Sequence, residues 1–184
     1  MIENDPGFMH TAVAFCADIK SSAHITKIFN DYQNLYRDDL SDDERDKIVN
    51  LKSDHVDGKM NAAERKSKIA WLKDVSDDRD SKECHILTNA RCLSEGVDVP
   101  SLDAIIFLST RKSQIDVVQA VGRVMRRAPG KSFGYVIIPV VLATGASPED
   151  VLNDKKGKFK VVWDILNALR AHDSRFNRSE ERRV

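Results

Sequence analysis

Apolar residues follow two patterns along this chain: short unbroken runs, and longer segments in which they recur every three or four positions. The unbroken runs have the length of β-strands that are buried on both faces. They cover residues 11–17, 84–89, 103–109 and 133–140. Helix-period segments lie between the runs, and a helix is the usual crossover connection between parallel strands. The pattern therefore predicts an α/β domain of three layers, in which helices cover both faces of a mainly parallel sheet.

Two of the helical segments can be placed from their first residues. The first follows Ser21 and Ser22, and its apolar residues make one stripe at steps of three and four. The residues of this stripe are Ile25, Ile28, Phe29, Tyr32, Leu35 and Tyr36. The second segment begins at residues 61–64, which resemble a capping box, and Ile69 and Leu72 then lie on one helix face.

Polar segments and a helical extension lie outside this alternation. Residues 37–54 are rich in Asp, Ser and Lys, which predicts an exposed excursion with a short helix that starts at Ser41. We prefer a solvated loop to an acidic binding site here. Ser147 and Pro148 mark the start of a C-terminal helix. We divide the chain into an irregular lead, a core domain, a helical extension and a polar tail, which cover residues 1–10, 11–145, 146–173 and 174–184.

The composition is that of a folded protein without a strong overall charge. Of the 184 residues, 41% are hydrophobic and 32% are charged, which excludes global disorder. Lys and Arg number 29, as do Asp and Glu, so only a local cluster can attract a polyanion. The longest apolar run, near residues 136–143, is far shorter than the roughly 18 residues of a membrane helix. Since no leader segment is evident, we expect a cytoplasmic protein that has no membrane partner.

Cysteine and histidine spacing gives no sign of a metal centre. Cys16, Cys84 and Cys92 show no paired spacing, and the histidines show no H-E-x-x-H or similar pattern. We expect reduced core thiols and no bound metal in this chain.

A local cluster of basic residues does occur, at residues 111–131. The segment holds six cations against one anion, and a capping-box start at Ser113 predicts a helix of about four turns. At about 100° per residue, Gln119, Arg123 and Arg126 share one arc of that helix. Guanidinium forks suit phosphate oxygens, although a solvated amphipathic helix is the other interpretation of such a segment.

A second chemical feature is the stretch T-N-A-R-C-L-S-E-G-V-D-V-P at residues 88–100, which begins at the end of a buried strand. Gly96 gives the backbone freedom, and Asp98 supplies a carboxylate two residues later. Domains of the α/β class place their ligand sites at the carboxyl ends of parallel strands. The stretch is therefore a candidate ligand-binding loop, although Gly-x-Asp turns are common.

Together the two stretches resemble motifs V and VI of superfamily-two helicases, in the second RecA-like domain of the motor. The resemblance is carried by S-E-G-V-D-V-P and Q-A-V-G-R-V-M-R, which alternate with predicted strands. V-A-F-C with Ser21 and Ser22 resembles motif IV, and H-V-D-G with Arg65 resembles the segment that follows it. The resemblance covers about residues 11–140. Within the family, the sequence is similar to bacterial helicases linked to restriction-modification and mobile elements, which include single-chain translocating restriction enzymes.

For ATP hydrolysis, the resemblance implies roles for residues of both motifs. Arg126 would act as an arginine finger on the γ-phosphate, with Arg123 beside it and Gln119 ordering these contacts. Gly96 would let the backbone approach, and Asp98 would lie near the ribose or the cleft between the two motor domains. The chain has no G-x-x-x-x-G-K-[ST] loop and no D-E-x-[DH] box. ATP and Mg²⁺ would therefore bind only together with a separate N-terminal RecA-like domain, and we expect the isolated chain to be inactive.

The resemblance also implies a nucleic-acid track. The residues that match segments along this track are Ser21, Ser22, Gly58 and Arg65. Many relatives place a phosphate-binding Thr six residues before the motif V glycine, where this chain has Ala90. Thr88 or Asn89 would then substitute for it as the phosphate ligand.

Taken with the resemblance, the sequence predicts the second motor domain of an ATP-dependent DNA helicase or translocase, with a RecA-like α/β fold. The implied partners are the N-terminal RecA-like domain, DNA rather than RNA, and nuclease or methyltransferase modules. The competing interpretation is a non-catalytic RecA-like module that binds nucleic acid or a protein partner. A kinase-like or dinucleotide-binding domain is disfavoured because the glycine fingerprint of such domains is absent.

Overall fold

A computed structural model gives the arrangement of most of the core domain. It describes residues 9–75, 81–90, 92, 102–109, 114–124, 131, 133–139, 163 and 166–167. Of the predicted C-terminal helix, Trp163, Leu166 and Asn167 are described, and all three are helical. Gly96, Asp98 and Arg126 lie outside the described residues, as does the predicted tail.

The core of the fold is a sheet of five parallel strands. Their bounds are β1 (Thr11–Phe15), β2 (Asn50–Asp57), β3 (Glu83–Ala90), β4 (Ala104–Phe107) and β5 (Tyr135–Ile137). The strands lie side by side in the order β2-β3-β1-β4-β5. In the centre of the sheet, Phe15 of β1 is level with Asn89 of β3 and with Phe107 of β4. The carboxyl ends of these three strands therefore meet at one edge.

Helices cover both faces of the sheet, as predicted for a three-layer α/β domain. Their bounds are α1 (Ile19–Asp38), α2 (Asp42–Arg45), α3 (Ala62–Asp74) and α4 (Gln114–Val124). On one face, α1 packs through Phe29 on a cluster built from small residues such as Ala12 and Ala14. On the other face, Leu72 of α3 and Val121 of α4 pack with Val13 in a larger cluster. The predicted fold class is therefore confirmed.

Four of the strands coincide with the predicted apolar runs, whereas β2 was missed. Residues 37–54 were predicted to be an exposed excursion, but β2 begins at Asn50 and continues to Asp57. The strand was missed because β3 is its one neighbour in the described sheet. Its residues are half-buried or exposed at several positions, so the sequence mixes polar and apolar residues where a central strand would have an apolar run.

The polar side chain of Asn30 closes part of the open edge of β2. The amide of Asn30 donates to the carbonyl oxygen of Ser53 at 2.9 Å and accepts from the Ser53 N–H at 2.8 Å. This pairing replaces the hydrogen bonds that a further strand would make, and it limits edge-to-edge association. It also fixes α1 to β2.

The helix starts predicted at Ser41 and Asn61 are confirmed, whereas α1 begins at Ile19, before Ser21 and Ser22, because Asp18 caps it. At α3, Glu64 N–H donates to Asn61 Oδ1 and Asn61 N–H donates to Glu64 Oε2, each at 2.9 Å. At α2, Glu44 Oε2 accepts from the N–H and from the hydroxyl of Ser41, at 3.0 and 2.7 Å. These bonds hold the pKa of Glu44 below its usual value.

Helix α1, in contrast, does not bury the stripe that its sequence predicts. The exposed fractions of Tyr32, Leu35 and Tyr36 are 68%, 62% and 59%. The helix faces the sheet with Phe29 and a row of polar residues, which are Ser22, Thr26, Asn30 and Gln33. Small residues on this sheet face admit the helix closely, and its hydroxyl and amide groups there meet polar partners. Of the predicted stripe, Phe29 therefore packs on the sheet, whereas Tyr32, Leu35 and Tyr36 do not.

A search for membrane-spanning helices is negative. Within the described ranges, no helix combines the length and the apolar character that crossing a membrane requires.

Candidate functional site

At the carboxyl edge of the sheet, α1 begins directly after β1. Asp18 caps the helix, and its Oδ1 atom accepts from the Ser21 N–H at 2.7 Å. The hydrogen bonds from Ser21 hold the pKa of Asp18 below its usual value. Ser21 lies in the first turn of the helix and is half-buried. Asp18 was not among the predicted site residues, although an Asp just before an apolar-periodic segment is the ordinary signal for a helix cap.

A cluster of three hydroxyl groups joins α1 to β3. Thr88 Oγ1 lies 2.8 Å from Ser22 Oγ and 2.7 Å from Thr26 Oγ1, and it also lies 3.1 Å from the carbonyl oxygen of Ser22. Ser22 and Thr88 are fully buried. Their hydroxyls are therefore engaged with each other and do not face solvent.

On the opposite face of β3, Asn89 is also fully buried. The side-chain Nδ2 atom of Asn89 donates to the Ala14 carbonyl oxygen at 3.2 Å. The backbone carbonyl oxygen of Asn89 accepts from the Cys16 N–H at 2.9 Å. These bonds tie the end of β3 to β1. Asn89 Oδ1 is buried and accepts no hydrogen bond from the described part of the chain.

Burial changes the role that we assign to three of the predicted nucleic-acid ligands. Ser22, Thr88 and Asn89 hold the strand ends and α1 in position, and their side chains are shielded from a nucleic acid in solution. Direct phosphate contact by these side chains is not supported by this geometry. Within the fold, their hydrogen bonds hold α1 and the ends of β1 and β3 in place.

We expect Thr88→Val to destabilise the domain although it conserves the shape of the side chain. Valine cannot pair with Ser22 or Thr26, and an unpaired buried hydroxyl costs about 1–3 kcal/mol. Urea unfolding followed by circular dichroism measures this loss. Thr26→Val is the matched control. Thr26 is half-buried, so water can take the place of its hydroxyl group, and we expect a smaller loss in the free energy of unfolding. Equal free energies of unfolding for Thr88→Val and the unsubstituted chain would contradict a structural role of the cluster.

A tight turn at the end of β2 presents Gly58 to solvent. Asp57 Oδ1 accepts from the backbone N–H groups of Lys59 and Met60, at 2.7 and 3.2 Å. His55 Nε2 lies 3.6 Å from the other carboxylate oxygen of Asp57. A Cβ atom on Gly58 would meet no atom within 4 Å, so packing of the described residues does not explain the glycine. The turn leaves an open stretch of backbone at the edge of the sheet.

Arg65 lies one turn inside α3, next to this edge. Its side chain is half-buried, and its backbone N–H donates to the Asn61 carbonyl oxygen. Burial raises the pKa of the Cys92 thiol, and the charge of Arg65 acts in the opposite direction. The sequence analysis named Gly58 and Arg65 but not Asp57. An Asp directly before a Gly is typical of a turn, and this pattern could have identified Asp57.

Helix α4 presents Gln119 and Arg123 on its outer side. Gln119 is exposed and Arg123 is half-buried, whereas Val117, Val121 and Val124 are buried against the sheet. The predicted separation of a polar arc from an apolar arc is therefore present in the described part of this helix. Arg126, the third predicted member of the polar arc, lies outside the described residues.

Lys131 does not belong to a phosphate-facing basic cluster. Its ammonium group donates to the carbonyl oxygens of Leu102 and Val124. Val124 is the last described residue of α4 and Leu102 precedes β4, so Lys131 joins these two elements. One of the six cations counted in the sequence is therefore engaged with backbone carbonyl groups of the domain.

The described residues contain no group of three His, Cys, Asp or Glu side chains that could hold a metal ion. Burial raises the pKa of Cys84 to about 12, so this thiol stays protonated. The described part of the edge offers amide, guanidinium and backbone groups, which suit phosphate oxygens.

The strand order, the two helical layers and the polar strand ends define a RecA-like α/β domain. The chain superposes on the C-terminal domain of the DEAD-box protein Dbp5 with a TM-score of 0.54 at 14% identity, covering 91% of this chain and 74% of that one. At this identity the likeness concerns the fold. The chain belongs to the family of helicase conserved C-terminal domains, which matches residues 9–128.

Two relatives with higher identity are much longer proteins, and the match covers only a part of each. The ATP-dependent type ISP restriction-modification enzyme LlaBIII, in a structure bound to DNA, is 40% identical with a TM-score of 0.75, over 94% of this chain and 11% of that one. A probable helicase of African swine fever virus (isolate Pig/Kenya/KEN-50/1950) is 33% identical over 105 residues, which are 57% of this chain and 11% of the viral protein. The family predicted from motifs V and VI is confirmed. The chain spans about a tenth of the length of these relatives.

Proposed function

We propose that this chain is the second motor domain of an ATP-dependent superfamily-two DNA helicase or translocase. The observation that carries the proposal is the pair of Gln119 and Arg123 on the accessible side of α4, in the family's Q-x-x-G-R-x-x-R pattern. Guanidinium groups at such a position stabilise charge on a transferring phosphoryl group when two motor domains close on each other.

The nucleotide would lie between this domain and an N-terminal RecA-like domain. Gln119, Arg123 and Arg126 would face its phosphates, and Gly96 and Asp98 would approach it from the loop after β3. When bound, ATP supplies the phosphoryl group that is transferred to water. Since the described residues offer no cluster of metal ligands, Mg²⁺ would be held by the N-terminal domain and the nucleotide.

Gly122 supports a close approach by another surface on this side of α4. A glycine within a helix costs about 1 kcal/mol relative to alanine. Gly122 is exposed, and a Cβ atom there would meet no atom within 4 Å. Packing among the described residues therefore gives no reason for the glycine, whereas a partner surface packed on the helix does.

The nucleic acid would follow the edge that carries Ser21, Gly58 and Arg65. The open backbone at Gly58 admits a phosphate group closely, and Arg65 supplies a charge nearby. We propose DNA as the substrate because the relative at 40% identity was observed with DNA. That relative also supports a restriction-modification setting with nuclease or methyltransferase modules, and we place the motor in the cytoplasm.

Isolated chain incubated with Mg²⁺, ATP and saturating DNA is expected to release no phosphate, because the phosphate-binding loop is absent. Adding the N-terminal RecA-like domain of the motor is expected to give DNA-stimulated release. Phosphate release assays at matched protein concentrations measure both. Turnover by the chain alone that is lost in Arg126→Ala would mean that a complete site exists here. DNA binding without hydrolysis by the assembled motor would favour the non-catalytic module.

A further inference from the structure

Helix α1 carries an apolar stripe beside its sheet-facing row, half-buried at Ile25 and Ile28 and exposed from Tyr32 onward. Its members are Ile25, Ile28, Tyr32, Leu35 and Tyr36. The first four are spaced by three, four and three residues, which is the a and d spacing of helices that pack on another helix. At about 100° per residue, this stripe lies roughly 120° around α1 from the row that faces the sheet.

The hydrogen bonds that join α1 to the sheet, and its large apolar contact there, come from residues outside this stripe. Ser22 and Thr26 bind Thr88 of β3, and Asn30 binds Ser53 of β2. Phe29 is the large apolar side chain of this fully described helix that packs on the sheet. Tyr32, Leu35 and Tyr36 remain 59–68% exposed. A run of exposed large apolar residues of this kind marks an interaction surface.

The charge beside Tyr32, Leu35 and Tyr36 restricts what can bind at that half of the stripe. Residues 31–46 carry seven acidic side chains and two basic ones, in a chain whose net charge is zero. This acidic segment repels nucleic acid, and it opposes pairing with the same segment of a second copy. It complements a partner that is basic around an apolar centre.

We propose that the stripe is the docking surface for an amphipathic α-helix flanked by Lys or Arg, supplied by another domain of the same motor. The helical spacing gives the shape of the partner, and the acidic segment gives its charge. The length of the relatives supports another domain as the origin of the partner helix. The matched segment is 11% of the chain in both long relatives, so such a motor has other domains that could cover the stripe. The source alone rests on the function proposed above.

A synthetic helical peptide with Leu at a and d positions and Lys at the flanking positions tests the chemistry. We expect fluorescence anisotropy to give a Kd on the order of 10 µM for the labelled peptide. Leu35→Lys is expected to weaken binding at least tenfold, since it places a charge in the apolar centre and opposite the peptide's lysines. Phe133→Lys is the matched control, because Phe133 is also exposed, at 53%, but lies outside α1. A version of the peptide with Glu in place of Lys is expected to bind at least tenfold more weakly.

Binding that is insensitive to Leu35→Lys, equal binding of the Glu version, or no binding at 1 mM peptide would overturn the proposal. A concentration-dependent dimer in sedimentation velocity that Leu35→Lys abolishes would identify a second copy as the occupant instead. Since these titrations contain neither ATP nor DNA, their outcome is independent of whether the motor function is correct.

The source is tested with Leu35→Cys and a maleimide. Cys16 and Cys84 are buried, and burial raises the pKa of Cys92, so the new thiol dominates the labelling of the isolated chain. We expect labelling to be at least tenfold slower in the intact motor than in the isolated chain. Equal rates would show that no domain of the motor covers the stripe.

Discussion

Arg126→Lys in the motor that contains this domain is expected to lower kcat for ATP hydrolysis by about 10³-fold. An arginine finger presents two N–H groups in a fixed plane to the developing charge on the phosphoryl group. Lysine keeps the charge but not the fork, so the loss falls on the transition state. The dissociation constant for ATP is expected to change far less. Steady-state ATPase assays and nucleotide titrations measure the two quantities.

Arg127→Lys is the matched control for this prediction. Arg127 is adjacent in sequence but lies outside the Q-x-x-G-R-x-x-R pattern, whose last arginine is Arg126. We expect Arg127→Lys to leave kcat nearly unchanged. Melting curves of both variants exclude misfolding as a cause. Equal and mild effects of the two substitutions would contradict the finger assignment and would favour a solvated helix.

Features that depend on local chemistry could be predicted from the sequence. The two capping boxes, at Ser41 and Asn61, involve residues three positions apart, so their partners are known before the fold is. The central strands were predictable for a related reason. A strand buried on both faces must be apolar throughout, and its run stands out in any context.

Features that depend on distant partners could not be predicted in this way. The polar row of α1 is buried because Thr88 and Ser53 meet it, and those residues lie 66 and 23 positions away from their partners in α1. Hydrophobic periodicity alone therefore does not show which side of this helix faces the sheet. Lys131 was counted with the basic cluster for a similar reason. Its two carbonyl partners, at Leu102 and Val124, become neighbours only after folding.

The residues of the candidate site also fall into two groups, those that solvent reaches and those that are buried. Gly58, Gln119 and Arg123 came from motif spacing, and the structure places all three where solvent reaches them. Thr88 and Asn89 came from the same motifs, but the structure buries them. A motif records which residue types a function requires at given positions. Burial decides which of those residues touch a ligand and which hold the others in place.

Gly134→Ala is expected to destabilise the domain by about 3 kcal/mol, near the upper end of the range for overpacking. A Cβ atom on Gly134 would lie 2.5 Å from Val124 Cγ1 and 2.6 Å from the Val124 carbonyl oxygen. Val124 is fully buried at the end of α4, and one of the two atoms belongs to the backbone. The clash therefore cannot be relieved by rotating a side chain, and β5 must move away from α4.

Gly122→Ala is the matched control for Gly134→Ala. The same methyl group added at Gly122 meets no atom within 4 Å and removes a helix-interior glycine, so we expect a gain of about 0.5–1 kcal/mol. Urea unfolding of both variants measures the two changes. Opposite signs are expected because one glycine is required by packing inside the domain and the other is not. A Gly134→Ala variant as stable as Gly122→Ala would mean that β5 does not approach α4 as closely as the structure has it.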